Sequence, residues 1–377
     1  MDFNLNENQK MLQKTARDFL ARECPKSLVR SMEQDEKGYL PDLWLKISNM
    51  GWTGLAIPEK YGGSAANFLD LCVLLEETGR ACLPGPFFAT VVLGAMTLLE
   101  AGNEEQKSNY LPRIAKGELL FTLALLESEA EFSADCVYLN AAINGETYHL
   151  NGTKLFVPDA QVADYIICVA RTDSSATAER GISLFLVDSK NPGISTTPLK
   201  TIAGDKQCEV VFNNVRIPLN DLLGQCNHGW TNVEQVLEKA TVARCAEMVG
   251  GAQAILDIAV NYAKERIQFE QFIGFFQAIQ HHCANMLIDV EALRYITYRA
   301  AWLVSEGMPC SREIAMAKAW ASEAYRRVAS LGVQIHGGIG CTSEHDAQLY
   351  YRRAAAAEIA FGDSEYHQEI VANHLAL

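Results

Sequence analysis

From residue 5 to about 118, side chains suited to one buried stripe recur at spacings of three and four, as at Met11, Thr15 and Phe19 and again through Leu71, Val73, Leu74 and Leu75. That period predicts helices. The stretch "LAIPEKYGGSA" (55–65) interrupts it with a proline and a glycine pair, which predicts a loop. From about 119 to 222 the runs shorten: "FTLALLE", "YHLNGTKLFV", "ADYIICVART", "GISLFLVD", "ISTTPL" and "CEVVFNNVRI" are all rich in β-branched and aromatic residues. Asn144-Gly145 and Asn151-Gly152 lie between such runs and supply the positive φ of hairpin turns. From about 229 the helical period returns, with Val290, Leu293, Ile296, Ala300 and Leu303 on one face, until "SLGVQIHGGIGCT" breaks the last long stretch. The expected order is helices (1–118), a β domain (119–228) and helices again (229–377).

Composition narrows the function classes. A chain of 377 residues that is 49% hydrophobic can bury two or three cores. Its net charge of -14 offers no basic surface for phosphates or anionic lipid, so nucleic acid is not an expected partner. Eleven cysteines without CxxC pairs or Cys/His ligand spacing are expected to be reduced thiols, and no metal site is expected. No apolar run reaches eighteen residues and the N-terminus carries no signal-like segment, so a soluble, cytoplasmic protein is expected. Neither a Ser/His/Asp order nor a GxSxG turn points to hydrolysis, and His281, His282, His336 and His345 lack metal-ligand spacing.

Five stretches carry more specific information: "IPEKYGG", "LNGTKLFVPDAQVADYIICVAR", "EVVFNNVRIPLNDLLG", "YAKERIQFEQFIGFFQAIQ" and "VQIHGGIG". In order and separation they resemble the acyl-CoA dehydrogenase family from end to end. The resemblance implies an α+β architecture: an N-terminal helical domain, a middle β-barrel-like domain and a C-terminal four-helix bundle. It also implies FAD bound between the subunits of a tetramer, and a reaction in which the α-proton of an acyl-CoA thioester is removed while the β-hydrogen leaves as hydride to the flavin. The product is the 2-enoyl-CoA, and an electron-transferring flavoprotein reoxidises the flavin.

Carried over residue by residue, the resemblance assigns Arg266 to a neighbouring subunit's FAD, where a pyrophosphate calls for a placed cation. Gln268, Phe269, Phe276 and Gln277 match positions that pack on or bond to the dinucleotide, but Glu270 stands where the family has glycine. Gln334, Gly337 and Gly338 match the glycine turn that lets backbone approach the ligand. The ring is expected against two strands. On the first, Leu126, Ser128 and Glu129 stand where the family prefers a threonine, a proline and glycines; on the second, Phe156 is placed to stack while Pro158 replaces a threonine and so loses a donor.

Removing an α-proton needs a base within hydrogen-bond reach and a polarised carbonyl. The family's usual glutamate aligns with Phe361, which cannot accept a proton, although the main-chain N–H of the same residue, a family donor to the thioester oxygen, remains. The alternative glutamate position aligns with Ala240, and the neighbouring family arginine with Thr241. On that helix Ala240, Arg244 and Glu247 fall within about 60° of one another. Arg244 and Glu247 are therefore read as an internal ion pair, as a relocated base with an arginine that orients it or binds a polar acyl tail, or as two solvent-exposed side chains. Asp363 is either a helix N-cap or a second base candidate. Two functions remain open: an acyl-CoA dehydrogenase with an unconventional base, or a non-catalytic subunit that binds FAD or CoA in a heteromer with a complete homologue. The apolar run "LPGPFFATVVLGAM" (83–96) resembles the family's pocket lining and suits an alkyl, alicyclic or aromatic tail, whereas Arg244 suits a carboxylated one.

Overall fold

The computed structural model describes residues 4–376. Helices α1 (Glu7–Glu23), α2 (Lys26–Gln34), α3 (Pro41–Asn49), α4 (Phe68–Ala81), α5 (Ala95–Ala101) and α6 (Glu104–Ala115) come first. Strands β1 (Phe121–Ala124), β2 (Asn140–Asn144), β3 (Thr147–Pro158), β4 (Tyr165–Arg171), β5 (Ile182–Asp188), β6 (Ile194–Leu199), β7 (Gln207–Pro218) and β8 (Leu222–Leu223) follow. Helix α7 (Trp230–Glu265), a small hairpin of β9 (Ile267–Gln268) and β10 (Gln271–Phe272), and helices α8 (Gln277–Ser305), α9 (Ser311–His336), α10 (Asp346–Ile359) and α11 (Ser364–His374) complete the chain. The α+β order expected from the sequence is the one observed.

These elements separate into two compact units, cut within α2 and α7. One comprises the chain up to Arg30, Asn67–Leu83 and everything from Thr241. At its centre α4 is buried from Leu71 through Thr78, on every face rather than one. That burial includes two carboxylates, each held by partners because an unpaired buried charge is prohibitive. Glu77 takes both Nε and Nη2 of Arg17 on α1, at 3.1 and 2.7 Å. Glu76 accepts from Tyr298 Oη at 2.6 Å, with Arg294 of α8 at 3.4 Å. Helix α7 lies directly on α4, because a Cβ on Gly250 would sit 1.7 Å from the Glu76 carbonyl oxygen, and one on Gly79 2.1 Å from that of Glu247.

The other unit, Ser31–Ala66 and Pro84–Ala240, holds the sheet. Its strand order is β6-β7-β3-β2-β4-β5-β8, with β1 parallel to β4. Residues of β7 (Phe212, Ile217) and of β5 (Phe185, Val187) share one core cluster with Tyr148 and Leu150, so the sheet curls until strands far apart in its order meet. Apolar positions facing inward along each strand are what closes it.

Three local expectations are corrected. Asn144-Gly145 forms a hairpin turn between β2 and β3, but Asn151-Gly152 lies inside β3, where the register with β7 shifts between Leu150 and Gly152. A bulge and a turn both favour an Asn-Gly pair, and here the bulge uses it. Met11 is 64% exposed and Thr15 is also on the surface; Ala16, Phe19 and Leu20 form the buried stripe of α1. The last long helix does not break at Ser330 but runs to His336 and stops at Gly337, whose φ of 65° ends it.

Candidate active site

The turn that links α10 to α11 is Phe361-Gly362, both in the left-handed region at φ 60° and 93°. For phenylalanine that conformation is strained and persists only where surroundings impose it. Here they do. Lys318, fully buried on α9, donates to the Gly362 carbonyl at 2.6 Å, the Glu358 carbonyl at 2.7 Å and Ser322 Oγ at 2.9 Å. Three acceptors around one nitrogen suit the ammonium form, which has three N–H donors, although burial pulls its pKa down to about 8. On the other side His367 Nε2 lies 2.9 Å from the Phe361 carbonyl. A carbonyl only accepts, so Nε2 carries the proton, and burial lowers the imidazole pKa to about 4. Asp363 caps α11, its Oδ1 accepting from Tyr366 N at 2.9 Å. The local sequence signal for capping was legible; Lys318 and His367 were not singled out.

Above the turn, the Arg244 guanidinium stands 6.0 Å from the Phe361 ring centroid, within cation–π range. Its Nη1 lies 2.5 Å from Glu247 Oε2, and Thr78 Oγ1 is 3.4 Å from Glu247 Oε1. Burial raises the Glu247 pKa, opposed by Arg244. Arg244 thus stands between Phe361 and Glu247. Ala240, one turn earlier on α7, is fully buried.

The cofactor candidates of this unit gather at two places. In the β9–β10 hairpin Phe269 and Glu270 occupy the turn at φ 55° and 68°, so Glu270 substitutes for glycine in a left-handed position and its side chain is exposed. Phe269 is 86% exposed and edge-on to Phe276 at 6.0 Å; Arg266, Gln268 and Gln277 are exposed beside them. Arg266 makes no ion pair among the described residues. At the end of α9 Gln334 is exposed, and nothing lies within 4 Å of where a Cβ on Gly337 or Gly338 would point. An exposed cation, an uncovered aromatic ring and backbone open to close approach fit a flavin dinucleotide. In the sheet unit, Phe156 sits at φ 53° and 45% exposed, on a second bulge of β3 between Lys154 and Val157. Leu126 accepts from Leu155 N at 2.9 Å, and the Pro158 carbonyl accepts from Thr122 Oγ1 at 2.5 Å. Buried Lys154, which sequence reasoning passed over, fixes this stretch by donating to the Leu125 carbonyl at 2.8 Å and to Glu127 at 2.6 Å. The apolar run singled out in the sequence is buried from Phe87 through Met96 and contains a π-helical turn, Ala89–Gly94.

Family models described as the N-terminal, middle and C-terminal domains of acyl-CoA dehydrogenase match residues 6–118, 124–215 and 227–376. A probable acyl-CoA dehydrogenase of Bacillus subtilis is 33% identical over 381 residues, covering 100% of both chains. A subunit of the caffeyl-CoA reductase–Etf complex of Acetobacterium woodii is 33% identical, covering 98% of each. The solved structure of butyryl-CoA dehydrogenase from Megasphaera elsdenii superposes with a TM-score of 0.93 at 31% identity, covering 100% of both chains. With three consecutive domain matches and full-length relatives above 30% identity, the chain belongs to the acyl-CoA dehydrogenase family.

Proposed function

We propose that this chain oxidises an acyl-CoA thioester to the 2-enoyl-CoA and passes the electrons to an electron-transferring flavoprotein. FAD, when bound, supplies the hydride acceptor. The observation that supports the reading is the Phe361-Gly362 turn, pinned in a left-handed conformation by Lys318 and His367 and aligned in sequence with the family's main-chain donor to the thioester. Preorganised donors of this kind stabilise charge that develops on a carbonyl oxygen during proton removal. Arg266, Gln268, Phe269, Phe276, Gln277, Gln334, Gly337 and Gly338 would contact the dinucleotide of a neighbouring subunit's FAD, and, separately, Leu126, Phe156 and Pro158 of the sheet unit would face a flavin ring.

Of the two carboxylates weighed as the base, Glu247 suits the role better. Burial raises its proton affinity, as a general base requires, while Asp363 is engaged as a helix cap. Arg244 orients Glu247 and offers a cation to a polar acyl tail. Eleven free cysteines, with no helix among the described residues long and apolar enough to cross a membrane, support a cytoplasmic location. The empty base positions at Phe361 and Ala240 favour one other reading, a half-site subunit working in a heteromer.

Stopped-flow mixing of the flavin-loaded protein with acyl-CoA decides between them. Glu247→Gln should abolish flavin bleaching in a single turnover; reduction at the wild-type rate removes Glu247 from the chemistry. A wild-type protein that is yellow yet inert to every acyl-CoA favours the half-site subunit.

A further inference from the structure

The Phe361-Gly362 turn lacks the family's usual glutamate, yet buried side chains constrain it on two sides. Two peptide carbonyls in succession are bound by buried donors from different helices: Phe361 O by His367 of α11, Gly362 O by Lys318 of α9. Lys318 also binds the Glu358 carbonyl at the end of α10, and Ser322 Oγ, which accepts from Lys318, donates onward to that same carbonyl at 3.3 Å. A Cβ on Gly362 would lie 2.4 Å from Tyr366 Cδ1 and 3.0 Å from His367 Nε2, so the turn has no room to rotate toward α11. An ammonium is a costly group to bury, and it is tolerated here because acceptors satisfy all three of its N–H donors. Two of its three donors go to the segment 358–362, at the Glu358 and Gly362 carbonyls, and the third goes to Ser322 Oγ, which itself donates to the Glu358 carbonyl.

We propose that Lys318 and His367 are positioning residues that fix the orientation of the Phe361 N–H toward the carbonyl oxygen of a bound CoA thioester, so that carbonyl recognition survives the loss of the glutamate side chain. This rests on the acyl-CoA reading above. Neither residue touches substrate; each acts through the backbone of the turn. The role is separable from general packing, since a clamp on the N–H affects only ligands that present an oxygen to it. A disordered turn, by contrast, weakens every ligand in the pocket.

The test compares two ligands that differ in that oxygen alone, an acyl-CoA thioester and the S-alkyl-CoA thioether of the same chain length. Dissociation constants are measured on the flavin-loaded protein, with flavin content and melting temperature recorded alongside. Lys318→Met and His367→Leu should each weaken the thioester about tenfold, the scale of one well-placed hydrogen bond, and leave the thioether within about twofold. His367→Gln, whose amide N–H can reach the same carbonyl, should restore most of the loss. Where Lys318→Met does not fold, the His367 pair carries the test. Equal weakening of both ligands, or none of either, overturns the clamp. A wild-type protein that already fails to prefer the thioester overturns the acyl-CoA reading itself, a result distinguishable from variants that keep a wild-type preference.

Discussion

His367 shows how much one side chain can be asked to do when its surroundings fix its protonation. Its Nε2–H is committed to the Phe361 carbonyl, and its Nδ1 is buried without a hydrogen-bond partner. Protonating Nδ1 would place a second charge beside the Lys318 ammonium, with only Asp363 to offset it, and burial adds the larger penalty. The folded-state pKa near 4 therefore lies below the ordinary value of 6.5. As pH falls through 6.5 the unfolded chain takes up the proton first. Stability from this group is complete above that point, is lost down to about pH 4, and changes no further below it. The full loss is roughly 3 kcal/mol for a shift of this size. His367→Gln removes the titration but keeps an N–H donor, so chemical denaturation at pH 7 and pH 4.5 should show a smaller fall in stability for the variant than for the wild type. Equal falls would mean that the ring is protonated as easily folded as unfolded.

Among the elements, the contact between α4 and α7 sets where Glu247 stands. The helices meet backbone to backbone through Gly79 and Gly250, each facing a carbonyl oxygen of the other helix. Relief of a clash at 1.7 Å requires the helices to part, which would open the burial around Glu76 and shift Glu247 from Thr78. Gly250→Ala is therefore expected to cost about 3 kcal/mol or more despite alanine's better helix propensity, which is worth only about 1 kcal/mol. A variant as stable as wild type in denaturant unfolding would refute the close approach. The same helix pair shows what the sequence could and could not tell. The apolar spacing of α4 was legible, because burial of Leu71 through Leu75 leaves a local pattern. The neighbours of Glu76 and Glu77 were not, since Arg17, Arg294 and Tyr298 come from distant segments that no spacing links. Lys318 was missed for a similar reason: in "AMAKAWASEAY" a lysine among small residues reads as a solvated position, and two of its three acceptors arrive forty or more residues later as main-chain carbonyls. Asp363 was readable as a cap because capping is local. Asn151-Gly152 was assigned to the wrong device because one dipeptide serves both turns and bulges.

For the whole molecule, the exposed aromatic side chains around the β9–β10 hairpin call for a cover. Phe269 at 86%, Phe275 at 66% and Phe272 at 41% exposure lie within one short segment next to Arg266. A single chain rarely leaves such a cluster in water, and a tetramer with FAD shared between subunits would supply the cover. If the dinucleotide runs past the end of α9, it crosses Gly337 and Gly338, where an added Cβ would have no atom of this chain within 4 Å. Gly338 lacks the positive φ of Gly337, so a branched residue there meets no backbone penalty of that kind. Gly338→Val should then leave the stability of the flavin-free protein within about 0.5 kcal/mol, as expected for a surface change away from any packed feature. The same substitution should lower the flavin-to-protein absorbance ratio several-fold and, through the lost cofactor, shift sedimentation from tetramer toward smaller species. Unaltered flavin content with a wild-type sedimentation profile would take the glycine pair out of the cofactor's path and leave Arg266 and the hairpin aromatics to account for the subunit junction alone.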